Sequence, residues 1–132
     1  MRYLLDTNIC IYVIRRRPPQ VLARLQRCAP GDVGLSTVTL AELQYGVAKS
    51  ALPARNQQAL DAFTLPLEVL PFDAAAAVAY GPIRAMLERQ GTPIGAMDLL
   101  IAAHARSLGV TLVTHNPREF ARVPGLQIET WV

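Results

Sequence analysis

Three carboxylates interrupt apolar stretches of this chain. Asp6 follows Leu4-Leu5, Glu42 lies between Ala41 and Leu43, and Asp98 precedes Leu99-Leu100-Ile101. Acids so placed raise the chemistry of a shared cation, because carboxylates brought close together in a poorly solvated site repel one another unless a positive charge lies between them. Oxygen donors without a matched set of cysteines or histidines suit magnesium or manganese better than zinc. Each acid also has a local explanation. Asp6 and Asp98 are acceptable helix N-caps, and Thr39 with Glu42 matches the Thr-x-x-Glu capping box. The joint pattern points to a divalent metal only if the fold brings the three together.

The elements around them supply a way of doing so. Tyr3 to Leu5 read as a short buried strand, and Asp6-Thr7-Asn8 turn it into a helix over about Asn8 to Ile14, which Pro18-Pro19 must end. A second helix from Pro19 or Gln20 to about Cys28, a strand at Val33 to Leu35 and a helix from Ser36 to Val47 follow, the last carrying Glu42. A helix over Pro53 to Phe63 leads to a third strand at Leu67 to Leu70. A long alanine-rich helix then reaches about Gln90, and Pro82 predicts a kink or break in it. The turn Gly91 to Gly95 precedes an apolar helix that Asp98 is expected to open. Val110 to Thr114 is the clearest strand, Pro117 can begin a short helix, and Gln127 to Thr130 form a last edge strand. Strands alternating with helices predict an α/β fold, a single-domain α/β/α sandwich around a central parallel sheet. In such sheets the helix starts that follow strands share one edge, where ligands bind.

Composition narrows the classes of function. A chain of 132 residues with 52% apolar and 17% charged residues predicts one domain, spanning 1–132, that is too hydrophobic for disorder. No apolar run approaches the roughly 18 residues a membrane span needs. Arg2 leads directly into the first strand and no export signal follows, so a cytoplasmic protein is expected. Cys10 and Cys28 have neither metal-ligand spacing nor a redox partner and read as small core residues. The formal charge is +3, and twelve of the thirteen basic residues are arginine. Arginine grips phosphate with a planar fork, so a nucleic acid is a possible partner, although a modest positive balance on a small protein is weak evidence. Arg15, Arg16 and Arg17 are RNA-backbone candidates or simply a solvated turn. His104 reads as a packed or solvent-facing helix residue, and His115 as a loop residue beside Asn116.

Taken together, Leu4-Leu5-Asp6-Thr7-Asn8, Ser36-x-x-Thr39-x-x-Glu42-Leu43, Asp98-x-x-Ile101-Ala102-Ala103-His104-Ala105 and Leu112-Val113-Thr114-x-Asn116-x-x-Glu119-Phe120 resemble the PIN-domain nucleases, in the right order over nearly the full chain. Asp6-Thr7-Asn8-Ile9-Cys10-Ile11, Gln90-Gly91-Thr92-Pro93-Ile94-Gly95 and the segment from Arg118 to Leu126 are similar to the VapC toxins of type II VapBC toxin–antitoxin systems. The resemblance implies a sheet in the order 3-2-1-4-5 and a Mg²⁺- or Mn²⁺-dependent endoribonuclease inhibited by a VapB-type antitoxin. It further implies metal-binding acids at Asp6, Glu42 and Asp98, with Thr7, Asn8, Ser36 and Thr114 as supporting polar residues. Where many PIN domains have a fourth acid this chain has Asn116, so Asn116 and Glu119 together are expected to complete the site. A tRNA substrate follows from the same resemblance, with the anticodon loop of initiator tRNA as the specific expectation. So does a homodimer, paired through Tyr45, Val47, Leu52, Phe63 and Leu65 and joined with antitoxin into a larger complex. The rival from another class is a non-catalytic PIN-like regulatory or protein-binding domain whose acids only cap helices, and metal binding separates the two. DNA is the alternative substrate within the enzyme class.

Overall fold

A computed structural model describes residues 1–132. Five parallel strands, β1 (Tyr3–Leu5), β2 (Val33–Ser36), β3 (Glu68–Leu70), β4 (Thr111–Val113) and β5 (Ile128–Glu129), form one sheet in the order β3-β2-β1-β4-β5. Helices α1 (Thr7–Arg15), α2 (Pro19–Gln26), α3 (Thr37–Ala48), α4 (Pro53–Thr64), α5 (Ala74–Arg89), α6 (Ala96–Leu108) and α7 (Pro117–Phe120) connect them. Both the α/β/α class and the strand order agree with expectation.

The side-chain alternation of the central strands explains the two layers. Tyr3 and Leu5 point with Val33, Leu35 and Val113 into a core shared with Ile9, Val21, Leu43 and Leu60 of α1 to α4. Leu4 and Leu112 point the other way, against Ile83, Leu87, Leu99, Ile101 and Phe120 of α5 to α7. Trp131 closes the first core by packing edge-on against Tyr3, with ring centroids 5.5 Å apart.

Several local expectations need correction. α5 runs unbroken through Pro82. The carbonyl that loses its partner there belongs to Val78, an exposed residue, so water can satisfy it. Asp98 does not open α6: Gly95 is the N-cap, and Asp98 sits in the first turn, where a negative charge favours the helix dipole without capping it. No Thr39–Glu42 capping box forms, because Ser36 caps α3 by accepting from the Val38 N–H, while the buried Thr39 hydroxyl has no partner. Of the apolar residues assigned to pairing, Tyr45, Leu52 and Leu65 are exposed, but Val47 and Phe63 pack against the first core.

Gly34 marks the closest approach between strands. A Cβ placed there comes 2.6 Å from the Glu68 carbonyl oxygen of β3, its register partner. Backbone cannot swing aside as a flexible side chain can, so Gly34→Ala is expected to destabilise by about 2 kcal/mol. Thermal unfolding followed by circular dichroism should show Tm lowered by roughly 5–10 °C. An unchanged Tm means that β3 can move away from β2 freely.

Candidate active site

β1 lies between β2, reached by the first crossover, and β4, reached by the third. The chain direction across the sheet reverses there, which leaves a crevice at the carboxyl ends of the strands. Asp6 is the first residue beyond β1. Its backbone N–H donates to the Val113 carbonyl at 2.9 Å, and its Oδ1 accepts from the Ile9 N–H at 2.9 Å, so it is indeed the N-cap of α1. Capping uses only one carboxylate oxygen. Oδ2 faces His115, whose Nδ1 is 3.7 Å away. Asp6 is buried, which pushes its carboxyl up from the usual range, while hydrogen bonds from Thr114 and the Ile9 N–H and the nearby His115 act in the opposite direction.

Glu42 reaches the same edge from the second turn of α3. The Thr7 hydroxyl of α1 donates to its Oε1 in a short hydrogen bond, across thirty-five residues of sequence. Asp98 comes from α6, on the other side of β1. Its carboxyl is pushed up to about 6, first by burial, then by the negative charges of Glu119, Asp6 and Glu42, and by a hydrogen bond shared with Glu119. Four acids from four separate elements therefore act on one another. Their fields overlap on a single edge of the sheet, as the three-acid pattern required. No three acidic, histidine or cysteine side chains are arranged as they stand to enclose one ion.

The loop after β4 supplies the remaining polar groups. Thr114 is fully buried, and its Oγ1 accepts from the Asn116 N–H at 2.9 Å. Asn116 donates through Nδ2 to Glu119 Oε2 at 2.8 Å, and Glu119 Oε1 accepts from the Gly95 N–H at 3.1 Å. Glu119 thus ties the start of α6, which carries Asp98, to the β4 loop. Asn8 stands at the rim, with Nδ2 3.4 Å from His115 Nε2.

The other predicted residues are placed less centrally. Ser36 is buried behind the acids, bonded to the Val38 N–H and, at 2.8 Å, to His104 Nδ1. His104 was expected to be a packed or solvent-facing helix residue, and it is packed: a buried polar link from α6 to the end of β2, its pKa lowered by burial and its ring edge-on against Phe72. Its spacing from Ile101 and Ala105 on the apolar face of α6 is the signal that marks it as internal. Arg15, Arg16 and Arg17 are exposed at the end of α1, and none of them touches the acids. Arg15 lines a groove of about 770 Å³ that begins at Thr7 and Glu42 and continues past Ile11, Ile14 and Leu60. Cys10 and Cys28 are free thiols in or against the first core, and Cys10 is held protonated by burial.

Comparison with known proteins agrees with this geometry. The PIN domain family model matches residues 3–126. A tRNA(fMet)-specific endonuclease VapC from Shigella flexneri is 48% identical over 131 residues, covering 99% of this chain and 98% of that protein. The crystal structure of DNA-bound VapBC from Salmonella typhimurium contains a chain that superposes with a TM-score of 0.95 at 44% identity, covering 100% of this chain and 99% of that one. In the crystal structure of VapBC2 from Rickettsia felis bound to a promoter DNA fragment, the matching chain gives a TM-score of 0.94 at 44% identity, with 100% of both chains covered. PIN-domain nucleases are in general dependent on divalent metals. The switch-point crevice, its converging acids and these likenesses agree: the chain belongs to the PIN-domain family and, within it, to the VapC ribonucleases of toxin–antitoxin systems.

Proposed function

We propose that this chain is the toxin of a type II toxin–antitoxin pair, an endoribonuclease that uses Mg²⁺ or Mn²⁺ to cut a single-stranded tRNA loop in the cytoplasm. The observation that carries the assignment is the convergence of Asp6, Glu42, Asp98 and Glu119 from separate elements on one edge of the sheet, where burial first and then the neighbouring charges push the Asp98 carboxyl up to about 6. Acids in that relation fit a hard divalent cation, and their all-oxygen chemistry favours Mg²⁺ or Mn²⁺. Asp6, Glu42 and Asp98 are the residues to hold it, with Asn116 and Glu119 completing the site. When bound, the ion supplies positive charge against the phosphate oxygens and acidifies water for attack on phosphorus.

The chain's own groups prepare the site for that chemistry. The Ile9 N–H fixes Asp6 by one oxygen, and the other faces His115. The Thr7 hydroxyl orients Glu42, and the Gly95 N–H and Asn116 amide orient Glu119. Thr114 steadies Asp6 and the turn to Asn116, while Ser36 and His104 fix the start of the helix that carries Glu42. Arg15, Arg16 and Arg17, exposed at the end of α1, meet an RNA backbone that enters along that helix. The apolar groove beginning at Glu42 suits an amphipathic helix of a VapB-type antitoxin, whose basic side chain can neutralise the acids. We assign the whole of 1–132 to the PIN domain, since Trp131, beyond the matched span, completes the first core. Tyr45, Leu52 and Leu65 are the exposed apolar residues through which two copies pair, and the pair joins antitoxin in a larger complex.

The identity of the Shigella relative makes initiator tRNA, cut in its anticodon loop, the substrate to test. Water rather than the ribose 2′-hydroxyl is the expected nucleophile. Sequencing of RNA ends after induction should therefore find 5′-phosphate and 3′-hydroxyl termini in that loop, and a chelator should abolish cutting in vitro. Cyclic-phosphate ends that persist with chelator would refute the mechanism. Cuts spread over messenger RNA with the loop intact would refute the target.

A further inference from the structure

His115 stands against Asp6 at the lip of the acidic crevice, and its ring has three neighbours. Its Nδ1 lies 3.7 Å from Asp6 Oδ2, its Nε2 lies 3.4 Å from Asn8 Nδ2, and it packs edge-to-face on Tyr12 with ring centroids 6.1 Å apart at 86°. One neutral tautomer satisfies both polar neighbours: Nδ1–H directed at the Asp6 carboxylate and Nε2 accepting from the Asn8 amide. Two edges and a supporting ring thus fix the plane of the imidazole, while about a third of the side chain (34%) remains exposed at the lip of the acidic crevice. Tyr12 is partly buried and packs against the first core, so it backs the imidazole with a ring that is itself held in place.

Single-stranded RNA is recognised largely by stacking of unpaired bases on aromatic or histidine rings, and a ring already held in place loses little freedom when a base covers it. We propose that the His115–Tyr12 pair is a stacking platform for the unpaired nucleobase next to the cut, and that it helps to set where along a loop the chain cleaves. The inference rests on the nuclease assignment above and adds a contact to the base rather than to the phosphate. His115 is a specificity residue in this scheme; Tyr12 acts through it, as a positioning residue.

The test is steady-state cleavage, with magnesium, of a single-stranded RNA oligonucleotide that the unaltered chain cuts, together with copies of it that lack one base at a time. His115→Ala should raise KM about tenfold and leave kcat within about twofold. His115→Phe, which keeps a flat ring but neither nitrogen, should recover most of the loss, and Tyr12→Leu should give a smaller rise in KM. On the copy lacking the base adjacent to the cut, the unaltered chain should fall to the level of His115→Ala, and His115→Ala should lose nothing more. Unchanged far-UV circular dichroism keeps these comparisons free of folding defects. The platform is overturned if His115→Phe is as impaired as His115→Ala, if the loss falls on kcat alone, or if no missing base removes the difference. Failure of the unaltered chain to cut any RNA overturns the nuclease assignment and the platform with it.

Discussion

Asp6→Asn, Glu42→Gln and Asp98→Asn should each lower cleavage by roughly a thousandfold, the equivalent of about 4 kcal/mol of lost stabilisation at the reacting phosphate. Each substitution removes one negative charge and almost no volume, so the core on either side of the sheet is untouched. Asparagine is as good an N-cap as aspartate, so Asp6→Asn keeps the Ile9 N–H bond that starts α1. Glutamine at 42 still accepts from Thr7. Folding therefore stays near normal by circular dichroism while activity disappears, a combination that a purely capping role for the acids cannot produce. Asn116→Ala and Glu119→Gln should cost less, about tenfold, because their contacts orient a neighbour as well as supply a ligand. Parent-like cleavage by all three of the first set would leave the acids as structural residues and the rival non-catalytic domain as the better account.

Acidity supplies the second large effect. The Asp98 carboxyl is at about 6 in the folded chain against an ordinary value of 3.8. Between those two values the folded protein keeps a proton that the unfolded chain has released. The contribution of this group to stability is therefore complete below about pH 4 and is lost as pH rises through 6. Thermal melting in chelator should show Tm falling across that window, and Asp98→Asn should flatten the fall and be the more stable protein at pH 7. A divalent cation reverses the order of events, because it competes with the proton for the same oxygens. Magnesium or manganese should raise Tm clearly at pH 7.5 and much less at pH 5. A metal-induced shift that is equal at both values, or absent from the parent and present in Asp98→Asn, would separate the cation from these acids.

What could be read from the chain beforehand depended on whether a feature was local. The five strands and their helices announced themselves by short apolar runs, prolines and a glycine turn, and the polar break at Asp6-Thr7-Asn8 marked the end of β1. Glu42 was visible as an acid but not as a partner of Thr7, since nothing in a helical period links positions thirty-five residues apart. The same limit hid the Ser36–His104 bond and the contacts of His115, which join residues from different elements. His104 carried a clue in its spacing from Ile101, and His115 in its place beside Asn116 at a strand end. Gly95 as the cap of α6 was obscured by Asp98, a better capping residue three positions later. Burial decided that competition, because the Asp98 side chain turns toward the other acids.

The position of β1 between β2 and β4 also sets when, during synthesis, the crevice can form. The backbone of Asp6 is tied to Val113, and its neighbours in the crevice arrive with α3, α6 and the loop after β4. A ribosome making this protein delivers the first acid almost at once and the last only at Glu119. Until then the opening strand lacks one flank and the crevice has one wall. Domains fold as units, and long-range strand pairing comes late. The growing chain therefore cannot assemble the full set of acids while it is still being made. The crevice closes only when β4 docks against β1, so the acids meet after nearly the whole chain has been made.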